Sequence, residues 1–292
     1  MKENSNKMTS LSSMGKLLGE IGHGSFGTVY KMLDSEGKEF AVKEVKNDEW
    51  SELEIDIQSN LCHPNIMPVN NVVKSIDNIF VVMPYCEYDV YNLINSFMVL
   101  DDQIKSYFTD VVKAVSYMHD NGVYHRDIKP ENVMIFKGRA MLADFGLACK
   151  ERYVSDKSGT SMYCAPEIMN GEEYDASKQD MWSLGLFLIN LLCTEDAWKG
   201  VEDDKAYEEY EKNPKGFLKQ LYPFSEEILE ILLNLLSKDP QERMDADTLL
   251  DKFTKVACYV EDVPFHWDEG VETDSVDKFI VGSWDSAYGS SI

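Results

Sequence analysis

The spacing of apolar residues changes near residue 90 of this 292-residue chain, and that change restricts the fold more than any other feature of the sequence. Residues 17–85 carry short β-rich runs, LLGEIGHG, TVYKML, EFAVKEV, MPVNNVV and IFVVMP, with DSEGKE at 34–39 as a turn. One stretch interrupts them: NDEWSELEIDIQSNL at 47–61 sets Trp50, Leu53, Ile57 and Leu61 at helical spacing, which predicts a single helix among the strands. Beyond residue 90 the period is that of helices, clearest where Ile104, Tyr107, Phe108, Val111, Val115 and Met118 mark one amphipathic face. The segment from Met181 to Leu192 is apolar on nearly every face, the pattern of a helix buried at the centre of a domain. SEEILEILLNLLSK at 225–238 opens with Ser225 as a cap and acidic residues that match the helix dipole. The expected class is α+β in two lobes: a small, mainly β N-terminal lobe with one helix over 15–85, and a larger, mainly α C-terminal lobe over 86–255. A polar extension occupies residues 1–14.

With 44% apolar and 27% charged residues, the chain has the make-up of a globular protein and the length to bury a sizeable core. Fifty-two Asp and Glu against 28 Lys and Arg leave a formal charge of −24. Such a surface argues against nucleic acid and against an anionic membrane as partners, because both need phosphate-neutralising cations; basic proteins are favoured instead. Six cysteines without a CxxC pair read as reduced thiols. The amino-terminal MKENSNKMTSLSSM lacks the apolar core of a signal peptide. The most apolar stretch, LGLFLINLLC at 184–193, falls short of the roughly 18 residues of a membrane span. A soluble protein of the cytoplasm or nucleus is expected. The 37 residues after Lys255 carry eight acidic side chains and one basic, yet include Phe265, Trp267, Phe279 and Trp284. Aromatics in so acidic a tail point to docking, either on the chain's own domain or on a partner.

Three segments add chemistry to this frame. GHGSFGTVY places Gly22, Gly24 and Gly27 between two predicted strands, where the missing Cβ lets backbone N–H groups approach phosphate oxygens. Sixteen residues past Gly27, Lys43 follows Ala41 and Val42 in an apolar strand and supplies a cation for phosphate. Then YHRDIKPENVM at 124–134 and ADFGLA at 143–148 bring two aspartates, an asparagine and a lysine close together.

In order and spacing these segments resemble the eukaryotic-type serine/threonine protein kinase family, whose signatures read here as His125-Arg126-Asp127 with Asn132, then Asp144-Phe145-Gly146, then Ala165-Pro166-Glu167. The resemblance covers residues 18 to about 250 and implies a two-lobed kinase-like fold that uses ATP and Mg²⁺. It implies that Asp127 accepts the proton of the substrate hydroxyl, that Asn132 and Asp144 hold Mg²⁺, that Lys43 holds the α and β phosphates and that Lys129 balances the γ-phosphate. Lys129 at that position resembles the serine/threonine branch. By the same resemblance Ile21, Val29 and Ala41 contact the nucleotide. Met83 guards the pocket behind adenine, backbone groups near Pro84 and Cys86 pair with the base, and Asp89 accepts from the ribose hydroxyls. Further on, Glu167 is expected to pair with Arg243, Asp180 to brace the catalytic loop, and Thr160 to bond Asp127 and Lys129. Intact Lys43, Asp127, Asn132 and Asp144 favour an active enzyme over a catalytically weak kinase-fold scaffold that needs a partner.

The chain also departs from the family pattern. Counting back from His63-Pro64 selects Glu54 as the carboxylate partner of Lys43, with Glu52 as the runner-up, but only ten residues separate Lys43 from Glu54. Four residues beyond, where an apolar side chain is usual, stands Gln58. A buried amide left unsatisfied costs about 1–3 kcal/mol, so the expectation is a helix weakly aligned by itself and steadied by a partner or by the tail. Asp156 falls where many relatives carry a phosphorylated residue that pairs with the arginine corresponding to Arg126, so a fixed carboxylate is expected to stand in part for phosphate. Glu131 is positioned to meet a basic residue of the substrate, while Asn190 replaces a glutamate found in one basophilic branch.

Overall fold

A computed structural model describes residues 11, 13–24, 27–97, 99–202 and 204–260. In the N-terminal lobe five strands form one antiparallel sheet: β1 (Lys16–Gly24), β2 (Gly27–Leu33), β3 (Glu39–Lys46), β4 (Asn71–Lys74) and β5 (Asn78–Pro84), in the order β1-β2-β3-β5-β4. Tyr30, Met32, Val42 and Phe80 fill one face, joined by Leu11 from the segment before β1. The predicted strand at 67–73 shrinks to β4 because Met67 gives its N–H to the Leu142 carbonyl and Pro68 has none to give.

Helix α1 (Glu49–Ser59) joins β3 to β4, and the Asp48 carboxylate caps it by accepting from Ser51 N at 2.9 Å. Its buried residues are Glu54, Ile57 and Gln58, so the stripe predicted from Trp50, Leu53 and Ile57 is only partly an inner face. Trp50 is 81% exposed and Leu53 44%. Two of the three positions facing inward hold polar groups with partners inside, which apolar periodicity alone does not detect.

The C-terminal lobe is mainly helical. Its elements are β6 (Tyr88–Asp89), α2 (Val90–Ser96), α3 (Asp101–Asp120), β7 (Val133–Phe136), β8 (Arg139–Leu142), β9 (Tyr153–Val154), α4 (Pro166–Met169), β10 (Tyr174–Asp175), α5 (Ala176–Cys193), α6 (Lys205–Lys212), α7 (Pro214–Leu221), α8 (Glu226–Leu235) and α9 (Ala246–Lys255). Helix α5 is buried almost throughout, as its composition predicts. At Gly185 an added Cβ would lie 2.9 Å from the Leu236 side chain and 3.1 Å from Leu235, so glycine lets α5 and α8 approach. Phe108 of α3 packs against Phe253 of α9 at 4.5 Å. Ser225 caps α8 through Ile228 N, as expected.

Beyond α9 the chain stays on this lobe. Val256 and Tyr259 are buried, Tyr259 stacks on Phe253 at 5.8 Å, and its carbonyl accepts from Ser225 N. The first five residues of the predicted tail therefore dock on their own domain; residues 261–292, with Phe265, Trp267, Phe279 and Trp284, lie outside the described residues. Among the described residues no helix is long and apolar enough to cross a membrane, and all six cysteines are free.

The lobe is pinned by one buried cation. Arg243, 1% exposed, donates from Nη1 and Nη2 to the two carboxylate oxygens of Glu167 at 2.6 and 2.9 Å and from Nε to the Ser237 carbonyl, with Trp182 beneath its plane. Replacing Glu167 by Ala strands this guanidinium. The expected loss of unfolding free energy in urea is about 3–5 kcal/mol, and a loss below about 1 kcal/mol would show that water reaches Arg243.

Candidate active site

The strand register builds the first wall. Val29 lies opposite Lys43, and Ala41 opposite Met83, so these four side chains share one face of the sheet. Lys43 Nζ donates to Glu54 Oε1 at 2.6 Å and to Asp144 Oδ1 at 3.0 Å. Burial works against its charge, but the two carboxylates outweigh it and hold the ammonium above its ordinary pKa. For Glu54 burial is the larger influence and pushes its carboxyl up against the pull of Lys43. The runner-up, Glu52, faces away and takes Lys74 instead.

Of the three motif glycines, Gly22, Gly24 and Gly27, only Gly27 is conformationally required. It has φ of +125°, and a Cβ there would lie 2.2 Å from the Glu44 carbonyl oxygen. At Gly22 the nearest atom to an added Cβ among the described residues would be 3.8 Å away, and at Gly24 no described residue beyond its chain neighbours lies within 4 Å, so the backbone there leaves room for a ligand. Ile21 beside them is exposed. Cys86 is buried with Met67 and Met141 next to Met83, and burial pushes its thiol up to about 11. Asp89 is already engaged: its carboxylate caps α2, accepting from Asn92 N at 2.6 Å and Asn92 Nδ2 at 2.7 Å.

The second wall is a loop held from below. Asp180, fully buried on α5, accepts from His125 N at 2.9 Å, Arg126 N at 2.7 Å and the His119 ring at 2.9 Å. These bonds secure Arg126 at φ of +66°, a conformation that costs a non-glycine residue about 1–3 kcal/mol. Asp127 follows, 5% exposed and surrounded by donors. One oxygen accepts from Lys129 Nζ at 2.8 Å and Asn132 Nδ2 at 3.0 Å; the other accepts from Thr160 N at 3.0 Å and Thr160 Oγ1 at 2.7 Å. Burial raises the Asp127 pKa, but the bonds from Lys129 and Thr160 outweigh it and hold the carboxyl below its ordinary value. Lys129 also donates to Thr160 Oγ1 at 2.6 Å.

Ala143 N donates to the Asn132 carbonyl at 2.8 Å, which brings Asp144 beside Asn132. Asp144 is itself left-handed, with φ of +61°, and Phe145 is buried against the His125 ring at 5.1 Å. Asn132 spends both N–H groups on Asp127, its amide oxygen has no hydrogen-bond partner among the described residues, and Asp144 keeps one oxygen beyond the one bound to Lys43. Two hard oxygen donors side by side suit Mg²⁺, which takes few protein ligands and completes its shell with water and phosphate.

The segment from Asp144 to Glu167 is tied down at several points. Arg126 donates through Nη2 to Asp156, and the Ser158 hydroxyl donates to the same carboxylate. Strand β9 pairs with β10, and Arg152 binds Asp175 at 3.0 Å. One acidic residue of the site is not legible in the sequence pattern. Thr194, left-handed at φ of +57°, ends α5 and turns the chain back, so that Asp196 accepts from Asn190 Nδ2 at 2.8 Å and neighbours Glu131. Only the local turn brings it there. Gln58 corrects another expectation: its amide donates to the Met67 carbonyl at 2.8 Å, so it is buried and satisfied, and Lys43–Glu54 is formed.

Comparison with known proteins agrees with this geometry. The protein kinase domain family matches residues 16–253. A negative regulator of sexual conjugation and meiosis from Schizosaccharomyces pombe is 31% identical over 79% of this chain and 59% of its own length. CBL-interacting serine/threonine-protein kinase 12 of Arabidopsis thaliana is 29% identical over 91% of the chain and 58% of its own length. Serine/threonine-protein kinase SKS1 of Saccharomyces cerevisiae is 31% identical over 69% of the chain and 45% of its own length. The chain thus spans about half the length of the curated relatives it matches. It belongs to the eukaryotic-type serine/threonine protein kinase family.

Proposed function

We propose that the chain transfers the γ-phosphate of ATP to serine and threonine hydroxyls of protein substrates. The observation that carries this reading is the single network in which Lys43, Glu54 and Asp144 meet Asn132, Asp127, Lys129 and Thr160. In this reading the substrate oxygen attacks the γ-phosphorus, the bond to the ADP oxygen breaks, and the hydroxyl proton passes to the Asp127 carboxylate. That carboxylate is ionised at neutral pH because its donors depress its pKa. Lys129 and Thr160 orient it. Lys43, fixed by Glu54, holds the α and β phosphates, and Asn132 with Asp144 would hold Mg²⁺. When bound, the metal neutralises phosphate charge. Val29, Ala41, Met83 and the backbone near Cys86 receive the adenine, Gly22 and Gly24 admit the phosphates, and Asp89 serves the ribose with its remaining lone pairs.

The preferred substrates are basic. Burial raises the Glu131 pKa, with Lys129 opposing the rise and Asp196 adding to it, neither Glu131 nor Asp196 forms a salt bridge among the described residues, and the −24 charge steers cations toward them. Six unpaired thiols fit a reducing compartment, the cytoplasm or the nucleus.

Mg²⁺-dependent transfer from γ-labelled ATP to a basic protein is the direct test. Asp127→Asn is expected to lower kcat by about a thousandfold, the scale of general base catalysis; tight ATP binding without transfer by the wild type would turn the reading to a scaffold. Asp156→Ala removes the counter-charge of Arg126 and is expected to lower kcat by about threefold to tenfold, a charge-assisted bond discounted for its half-exposed partner. Unchanged activity would remove Asp156 from the ordering of the segment. The acid limb of kcat/KM follows from two opposite shifts. Asp127, depressed below 3.8, stays ionised as pH falls, whereas Glu54, raised above 4.5, protonates first and releases Lys43. The limb is expected to have its midpoint above 4.5 and to disappear in Glu54→Gln; a limb that survives in Glu54→Gln belongs to another group.

A further inference from the structure

A cavity of about 490 Å³ opens in the large lobe beside α4. Pro166 and Met169 of α4, Val201, Tyr207 of α6 and Pro240 give it an apolar lining. Three carboxylates line it as well. Glu167 is taken by Arg243 and Glu211 by Lys238, whereas Glu202 is exposed and forms no salt bridge among the described residues. The loop that carries Val201 and Glu202 is fixed by its own hydrogen bonds. The Asp204 carboxylate accepts from Lys199 N at 3.0 Å and from Ala206 N at 2.8 Å, so one side chain both closes the loop and caps α6. At Gly200 an added Cβ would lie 3.0 Å from Ser161 Oγ, so the loop rests on the residue next to Thr160, whose hydroxyl donates to Asp127 at 2.7 Å. From Ser161 the chain makes a single turn to Tyr163 and enters α4 at Pro166. Both sides of the cavity are thus continuous with the segment that holds Asp127.

We propose that this cavity is a docking site for protein substrates, which takes an apolar side chain and a neighbouring Lys or Arg from a part of the substrate beyond the residues at Asp127. The apolar lining receives the first, and Glu202, an anion without a cation of its own, receives the second. The −24 charge draws basic chains to the surface, and a substrate seated at Asp127 passes Ser161 on its way to the cavity. Because Asp204 holds the loop beforehand, docking orders little of the protein. The proposal rests on the kinase reading for the identity of its occupant as a substrate, and on the cavity alone for binding. Val201 and Glu202 are specificity-determining residues in this account; neither belongs to the network around Asp127.

The test uses the full chain and synthetic serine peptides that carry Leu-Arg at a series of distances before or after the acceptor, each with a Gly-Ser counterpart. At the matching distance Leu-Arg is expected to lower KM for the peptide by about tenfold with kcat unchanged. Glu202→Lys is expected to cancel most of that gain and to restore it for a Leu-Glu peptide, while KM for ATP and turnover of the Gly-Ser peptide keep their wild-type values. Val201→Trp fills the cavity and is expected to cancel the gain for both. Equal KM for Leu-Arg and Gly-Ser peptides at every distance, or a Leu-Arg advantage that survives both substitutions, would overturn the proposal. Fluorescence anisotropy of a labelled Leu-Arg peptide reads docking without transfer. Absent transfer by the wild type to any peptide would overturn the kinase reading, whereas equal binding of the labelled peptide by the wild type and both variants would overturn the docking site.

Discussion

The ammonium group of Lys43 is the point at which the two lobes become one site. It bonds a carboxylate from the small lobe, Glu54, and one from the large lobe, Asp144, within 3.0 Å. A cation there is stable because two anions offset its desolvation, and each anion is stable because the cation is there. Everything else in the small lobe serves that geometry: the sheet register that aims Lys43, the Asp48 cap that starts α1, and the inward placement of Glu54 and Gln58.

The large lobe solves a different problem, that of holding strained backbone still. Arg126 and Asp144 both adopt left-handed conformations, one next to Asp127 and the other bonded to Lys43. Asp180 secures the first with two backbone bonds, and the second is fixed by Lys43 in front and by the burial of Phe145 behind. Strain of this kind persists only where surrounding structure over-determines it. The burial of α5 provides that surrounding.

Much of this is legible in the residues. The change of apolar period locates both lobes, and the motif residues Lys43, Asp127, Asn132 and Asp144 fall together in space as their pattern implies. The pairings Glu167–Arg243 and Asp180 with the catalytic loop form as expected. The failures have a common cause. Trp50 and Leu53 read as inward because period alone cannot tell an apolar face from one built of satisfied polar groups. Gln58 reads as a defect because its acceptor, a carbonyl nine residues away, is produced by tertiary folding. Asp196 escapes notice because a left-handed threonine, invisible to propensity, turns it back toward Asn190. Asp89 has a double use, since the residue suited to a ribose is also a good helix cap.

The attachment of the catalytic loop to α5 has a consequence for how the protein fails. Asp180 sits on the most completely buried helix, and two of its three bonds run straight into the loop while the third ties it to His119 of α3. Local opening draws on segments with few buried contacts, whereas a fully buried helix opens only when the whole domain does. The loop that carries Asp127 therefore inherits the cooperativity of the core. Heat or denaturant acting on this protein will loosen the exposed first turn of α1 early, but the catalytic loop will keep its shape until the large lobe melts as a unit. Inactivation short of that point is a small-lobe event and reverses when α1 returns.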